Sequence, residues 1–119
     1  MEKIKYDDFT KVEMRVGKII EAVNVQDSDK LIRMIVDFGP EMGQKLVFSG
    51  IRHWYQPENL LNKTSIFVVN MVPKKIMKEE SSAMILGASN FVKTSADKED
   101  EELSILFLEK EMPLGTRVL

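Results

Sequence analysis

The stretch Val12-Glu13-Met14-Arg15-Val16-Gly17-Lys18-Ile19-Ile20-Glu21-Ala22-Val23-Asn24-Val25 decides the fold. Val12, Met14 and Val16 alternate with Glu13 and Arg15, the period-two pattern of a half-buried strand. Gly17 interrupts the alternation, which resumes in shifted phase through Ile19, Ile20, Ala22, Val23 and Val25. A glycine at such a shift predicts a bulge that lets one long strand bend, and a bent first strand suits a small barrel.

Working outward, Asp7 or Asp8 offers a side-chain oxygen to cap a helical turn carrying Phe9 and Val12. Downstream, Gln26-Asp27-Ser28-Asp29 is a turn, and Leu31 to Asp37 reads as a second strand rich in β-branched and apolar residues. Gly39-Pro40-Glu41-Met42-Gly43 breaks the chain before a third strand, Lys45 to Ser49. Its glycines stand too close together for a phosphate-binding loop, and no lysine directly follows the second, so it reads as a turn. Pro57-Glu58-Asn59-Leu60-Leu61 fits a short helix, with proline tolerated in the first turn because its missing amide hydrogen has no partner there anyway. Ser65 to Asn70, apolar on both faces, predicts a central strand ending before Pro73. After a turn at Lys74 to Lys78, Ala83 to Ala88 reads as a fifth strand and Leu103 to Leu108 as an extension strand, with a last turn at Met112 to Thr116.

Three meander strands, a helical connection and two further strands describe an all-β chain: an OB-fold, a five-stranded Greek-key barrel with short helices and a C-terminal extension strand. A small sandwich has similar spacing. With 119 residues and no internal linker or repeat, 1–119 is expected to form one domain. The composition, 44% hydrophobic and 30% charged, is that of a soluble globular chain. No apolar run reaches the length of a membrane helix and the start lacks a signal peptide's apolar centre, so a cytoplasmic protein without membrane contact is expected.

Absence of Cys removes disulfides, thiolate chemistry and Cys-ligated metals, and a single His removes a His-rich site, so neither metal nor other cofactor is expected. That histidine, His53, stands beside Trp54 and Tyr55 with no serine or carboxylate placed to complete a catalytic set; no catalytic constellation emerges and the chain does not read as an enzyme. The net charge of −2 conceals an uneven distribution. Residues 97–119 hold 3 basic and 7 acidic side chains, leaving 14 basic and 12 acidic in residues 1–96. The acidic excess is the run Asp97-Lys98-Glu99-Asp100-Glu101-Glu102, a solvated loop spanning about 95–102. The remainder retains Lys74, Lys75 and Lys78 between two strong strands, at a barrel mouth where side chains reach a shared phosphate track. Asn70 before this cluster and Ser81 after it add amide and hydroxyl groups suited to sugar, phosphate or an exposed base edge. Met84 suits contact with an unstacked base, or packing in the core.

Several of these residues also carry a family resemblance. Asp8-Phe9, Met14-Arg15-Val16-Gly17-Lys18-Ile19, Lys30-Leu31, Ser49-Gly50-Ile51, Val69-Asn70, Pro73-Lys74-Lys75 and Glu80-Ser81 with Met84-Ile85-Leu86 follow a common order and spacing. In these, and in the closing Met112 to Val118, the chain from Asp8 to Val118 resembles the tRNA-binding domain appended to methionyl-tRNA synthetases and found in stand-alone tRNA-binding proteins.

The resemblance implies an OB-fold that binds tRNA by shape rather than sequence, alone or as an accessory to a methionyl-tRNA synthetase catalytic chain, often as a homodimer. Asn70, Lys75, Ser81 and Met84 fall on its tRNA-contacting positions, flanked by Lys30, Arg33 and Lys74. The family usually has glycine where Lys78 and Ala83 stand, and the acidic insertion after Phe91 is a further departure. A second branch, the CsaA secretion chaperones, shares the loop Val36-Asp37-Phe38-Gly39 and implies a dimer that binds unfolded peptides.

Overall fold

The computed structural model describes residues 1–90 and 101–119. Residues 95–100, most of the acidic loop expected from the sequence, lie outside the described residues. A helical turn α1 (Tyr6–Phe9) precedes the long strand β1 (Met14–Asn24), followed by β2 (Ile32–Asp37) and β3 (Gln44–Ser49). Helix α2 (Pro57–Leu60) leads to β4 (Thr64–Val68), then come a hairpin of β5 (Lys74–Ile76) and β6 (Glu79–Ser81), the short β7 (Met84–Ile85), β8 (Gly87–Asn90), β9 (Glu102–Ile105) and β10 (Arg117–Val118).

The principal antiparallel sheet runs β3-β2-β1-β4-β7, with β10 added to β1. Its two ends approach each other: the Ser82 amide donates to the Leu46 carbonyl (2.9 Å) and the Phe48 amide to Ser81 Oγ (3.0 Å). The result is a nearly closed five-strand barrel of the OB type, rather than a sandwich.

Strand β1 makes closure possible by serving two neighbours. Its first half, Met14 to Lys18, pairs with β4, and its second half, Lys18 to Asn24, pairs with β2. The bulge lies between Ile19 and Glu21, where β1 leaves one partner for the other, and not at Gly17 as the alternation suggests. Gly17 answers a different demand. A Cβ on it would stand 2.6 Å from Val36 Cγ1 and 2.7 Å from Phe38 Cε1, so glycine here is what lets β1 lie against the packed interior. That interior holds Ile19, Ile32, Met34, Val36, Phe38, Val47 and Phe67, with Leu60 of α2 also fully buried and Phe38 edge-on to Phe67 at 5.3 Å. Helix α2 carries its proline in the first turn, as read from the sequence.

Four further expectations are corrected. Helix α1 begins at Tyr6, with Lys5 at the cap position and no side-chain cap, so Asp7 and Asp8 lie inside its first turn, beside the free amides instead of before them, and the helix ends at Phe9, short of Val12. Lys74 to Lys78 is not merely a turn. It forms β5 and the whole two-residue reversal that follows, with left-handed φ of 49° at Met77 and 74° at Lys78, the sign a tight hairpin requires at both central residues. The stretch Ala83 to Ala88 divides at Leu86, whose amide bonds to Ile66 while its carbonyl accepts from Leu106, so the chain passes from β4 to β9. Beyond Ile105 the extension leaves β8 and runs along β4, where Phe107 bridges to Ser65, and beyond the last turn Arg117–Val118 pairs with Met14 and Arg15.

Candidate nucleic-acid interface

A groove of about 280 Å³ opens between the β5–β6 hairpin and the barrel. Phe48, Leu31, Ile76, Ala83 and Ile85 supply much of its apolar lining, with Met71, Val72 and Met84 at its exposed margin. Alternation along the hairpin decides which polar groups reach it. Lys74 opposes Ser81 and both line the groove, whereas Lys75 opposes Glu80 on the other side of the ribbon. Of the seven residues singled out from the sequence, the structure therefore gathers Lys74, Ser81 and Met84 in one groove, while Lys30, adjoining the groove residue Leu31, is exposed.

Asn70, Ser81 and Arg33 are each engaged in bonds that hold the fold, while Lys75 is exposed. Asn70 staples the N-terminal segment to the end of β4: its Oδ1 accepts from the Glu13 amide (2.9 Å) and its Nδ2 donates to the Lys11 carbonyl (2.6 Å). Ser81 is buried and its Oγ accepts the Phe48 amide, leaving its own proton free to donate. Arg33 spans 46 residues of sequence to grip Glu79 in a two-pronged ion pair, Nε to Oε1 at 3.0 Å and Nη2 to Oε2 at 2.9 Å. The hydrogen bond from Arg33 holds the Glu79 carboxyl below its ordinary range. The same bond, reinforced by charge from Glu79 and Glu21 and opposed by partial burial, raises the guanidinium.

Sequence reading missed Leu31, Phe48, Met71, Val72 and Ile76 as groove residues. The available signal was Met71-Val72, two apolar residues held outside any strand between Asn70 and Pro73, with Val72 89% exposed. Phe48 gave none, because a phenylalanine in a strand reads as core. His53 is exposed and edge-on to Trp54, whose indole donates to the Glu101 carbonyl (2.9 Å).

The arrangement offers an apolar bed, a cation at its edge in Lys74 and a free hydroxyl proton on Ser81, which suits an unstacked base with its phosphate and also an extended peptide. A family model described as a putative tRNA binding domain matches residues 14–117. The chain belongs to the tRNA-binding domain family. A methionine–tRNA ligase of Pyrococcus horikoshii is 39% identical over 99% of the chain, and one of Methanococcus aeolicus 40% identical over 99%. The chain spans only 15% and 16% of those two proteins' lengths, so it corresponds to a small part of each. Among solved structures, a MetRS-related protein of Pyrococcus horikoshii superposes with a TM-score of 0.87 at 35% identity, covering both chains completely. The chaperone CsaA of Bacillus anthracis superposes at 0.79 and 28% identity, over 99% of this chain and 100% of that one. The matched family is a tRNA-binding domain, not a catalytic one.

Proposed function

We propose that the chain binds tRNA by shape, with little dependence on sequence, through the groove and the basic surface around it, working in the cytoplasm without catalysis or a cofactor. The observation that carries this reading is the convergence of Lys74, Ser81 and Met84 on one groove within the matched family region. In this reading Lys74, Lys75 and Lys30 neutralise phosphates, Met84 meets an unstacked base and Ser81 donates its free proton to ribose or phosphate. Arg33 and Asn70 belong to the surface through the elements they hold in place. The likeness to methionine–tRNA ligases supports an accessory role, as a separate subunit beside a synthetase catalytic chain or joined to one.

The decisive measurement is a gel-shift titration of total tRNA against an unfolded peptide. About three phosphate contacts at roughly −0.7 each predict a log–log salt slope near −2, and Lys74→Ala should shallow it. Salt-insensitive binding would refute the reading. The CsaA likeness and the exposed apolar margin at Met71, Val72 and Met84 favour a second reading, a chaperone-like peptide binder, which saturable peptide binding without tRNA binding would establish.

A homodimer is part of the proposal. The extension carries Leu106 and Phe107, each 40% exposed, while Ile105 is buried in the core cluster. Pairing would cover the two exposed side chains and present two RNA surfaces, raising affinity by avidity. A concentration-independent monomer mass in sedimentation equilibrium at micromolar protein would overturn it.

A further inference from the structure

Arg33 is placed for a task that its positive charge conceals. In the β2–β3 register it stands directly opposite Phe48, so both side chains face the same side of the barrel, the side on which Phe48 lines the groove. The β5–β6 hairpin forms a two-stranded sheet of its own, outside the barrel's ladder. At its base, the hairpin joins the barrel through Ser81 and Ser82, which bond to Phe48 and Leu46 of β3. Among the described residues from Met71 to Glu80, the one hydrogen-bonded side-chain link to the barrel is Arg33 with Glu79. Glu79 lies one residue beyond the left-handed pair Met77-Lys78 and opposite Ile76, another groove residue. The pair therefore fixes the far end of the arm that forms one wall of the groove. Two parallel bonds from a planar guanidinium also constrain angle, which a single lysine contact does not.

We infer that Arg33 and Glu79 act as a positioning strut that sets the width of the groove, and that Arg33 is not a phosphate contact while Glu79 holds it. This inference rests on the groove being the RNA-binding surface. Glu79 engages one edge of the guanidinium, Nε and Nη2, and offsets its charge, so among the described residues the unpaired cations facing solvent at the hairpin are Lys74, Lys75 and Lys78, while Glu80 opposes Lys75 and Glu21 lies near Arg33.

The two roles predict different salt slopes for Arg33→Ala. If Arg33 is a strut, removing it loosens the arm: tRNA affinity falls about two- to fivefold, the range of an exposed ion pair, and the salt slope stays unchanged. Were Arg33 a phosphate contact, the same variant would lose a cation from the RNA surface and shallow the slope by about 0.7. The charge-reversed pair Arg33→Glu with Glu79→Arg should recover much of the lost affinity, because it restores the bridge while placing a carboxylate where the cation stood. Hydrogen exchange of the hairpin amides, measured without RNA, separates this inference from the functional reading. Faster exchange at residues 75–80 in Glu79→Ala, reversed in the swapped pair, supports the strut even if the parent fails to bind tRNA. Unchanged exchange in Glu79→Ala overturns it, and in a parent that binds tRNA so does an unchanged affinity or a shallower slope in Arg33→Ala.

Discussion

Replacing Gly17 with alanine tests the most constrained packing in the barrel. The added methyl would lie 2.6 Å from Val36 Cγ1 and 2.7 Å from Phe38 Cε1, against about 3.5–4.0 Å for carbon atoms in contact. Relief needs a movement of about 1 Å, and neither neighbour has free space: Val36 is 0% exposed and Phe38 1%, with Phe38 braced edge-on against Phe67. Overpacking of this kind costs about 1–3 kcal/mol, and two simultaneous clashes place Gly17→Ala toward the upper end. At about 4 °C per kcal/mol for a chain of this size, the melting temperature should fall by about 8–12 °C. Gly17 has no left-handed φ, so a purely conformational account of the glycine predicts the opposite sign. Alanine would then stabilise by about 0.4–1 kcal/mol through the unfolded state. Urea melts at constant m-value read the sign directly, and combining Gly17→Ala with Val36→Ala should cost less than the sum of the two single changes. A parental or higher melting point for Gly17→Ala would refute the close-packing argument.

Lys78→Gly should stabilise the hairpin by about 0.5–1 kcal/mol, because a side chain at φ 74° carries a steric cost that glycine avoids; slower hydrogen exchange at residues 75–80 checks it. Met84→Ala should weaken tRNA binding with little change in melting temperature, since the side chain is 46% exposed at the groove margin. Ser81→Ala, in contrast, leaves the Phe48 amide without its acceptor and should cost about 1–3 kcal/mol of stability in a thermal melt. Because Glu79 is held below the ordinary carboxylate range, the strut is complete at neutral pH, persists as pH falls to that range, and is lost only as pH drops through the lowered folded value. Hairpin exchange corrected for intrinsic pH dependence should therefore stay flat down to about pH 4 and rise only below it.

Most of the barrel was legible because its longer strands carry local signals, alternation in β1, β-branched and apolar residues in β2 and an apolar run in β4, whereas the short β7 was read as part of one longer strand. Val16 to Val25, Ile32 to Asp37 and Ser65 to Val68 announce themselves locally, and turns at residues 26–29 and 39–43 separate the first three. The hairpin was not legible for the converse reason. Its six strand residues include Lys74, Lys75, Glu79 and Glu80, a polar composition that propensity assigns to a loop, and its reversal uses Met77-Lys78 where a tight turn ordinarily announces itself by Asn or Gly. What orders it is tertiary: the edge of β3, Ser81 and the Arg33–Glu79 pair, all dependent on residues far away in the chain. The candidate site suffers from the same dependence. Residue type placed cations and hydroxyls near one another, yet only alternation in an unforeseen strand separates Lys74 from Lys75 and turns one of them toward the groove. Likewise Asn70 and Ser81, read as free polar groups, hold the N-terminal segment and the barrel seam. A loss of binding on mutating either one therefore counts as a contact only if the melting temperature stays at the parental value, whereas Lys74 and Met84 carry no such bond among the described residues and give the direct test of the surface.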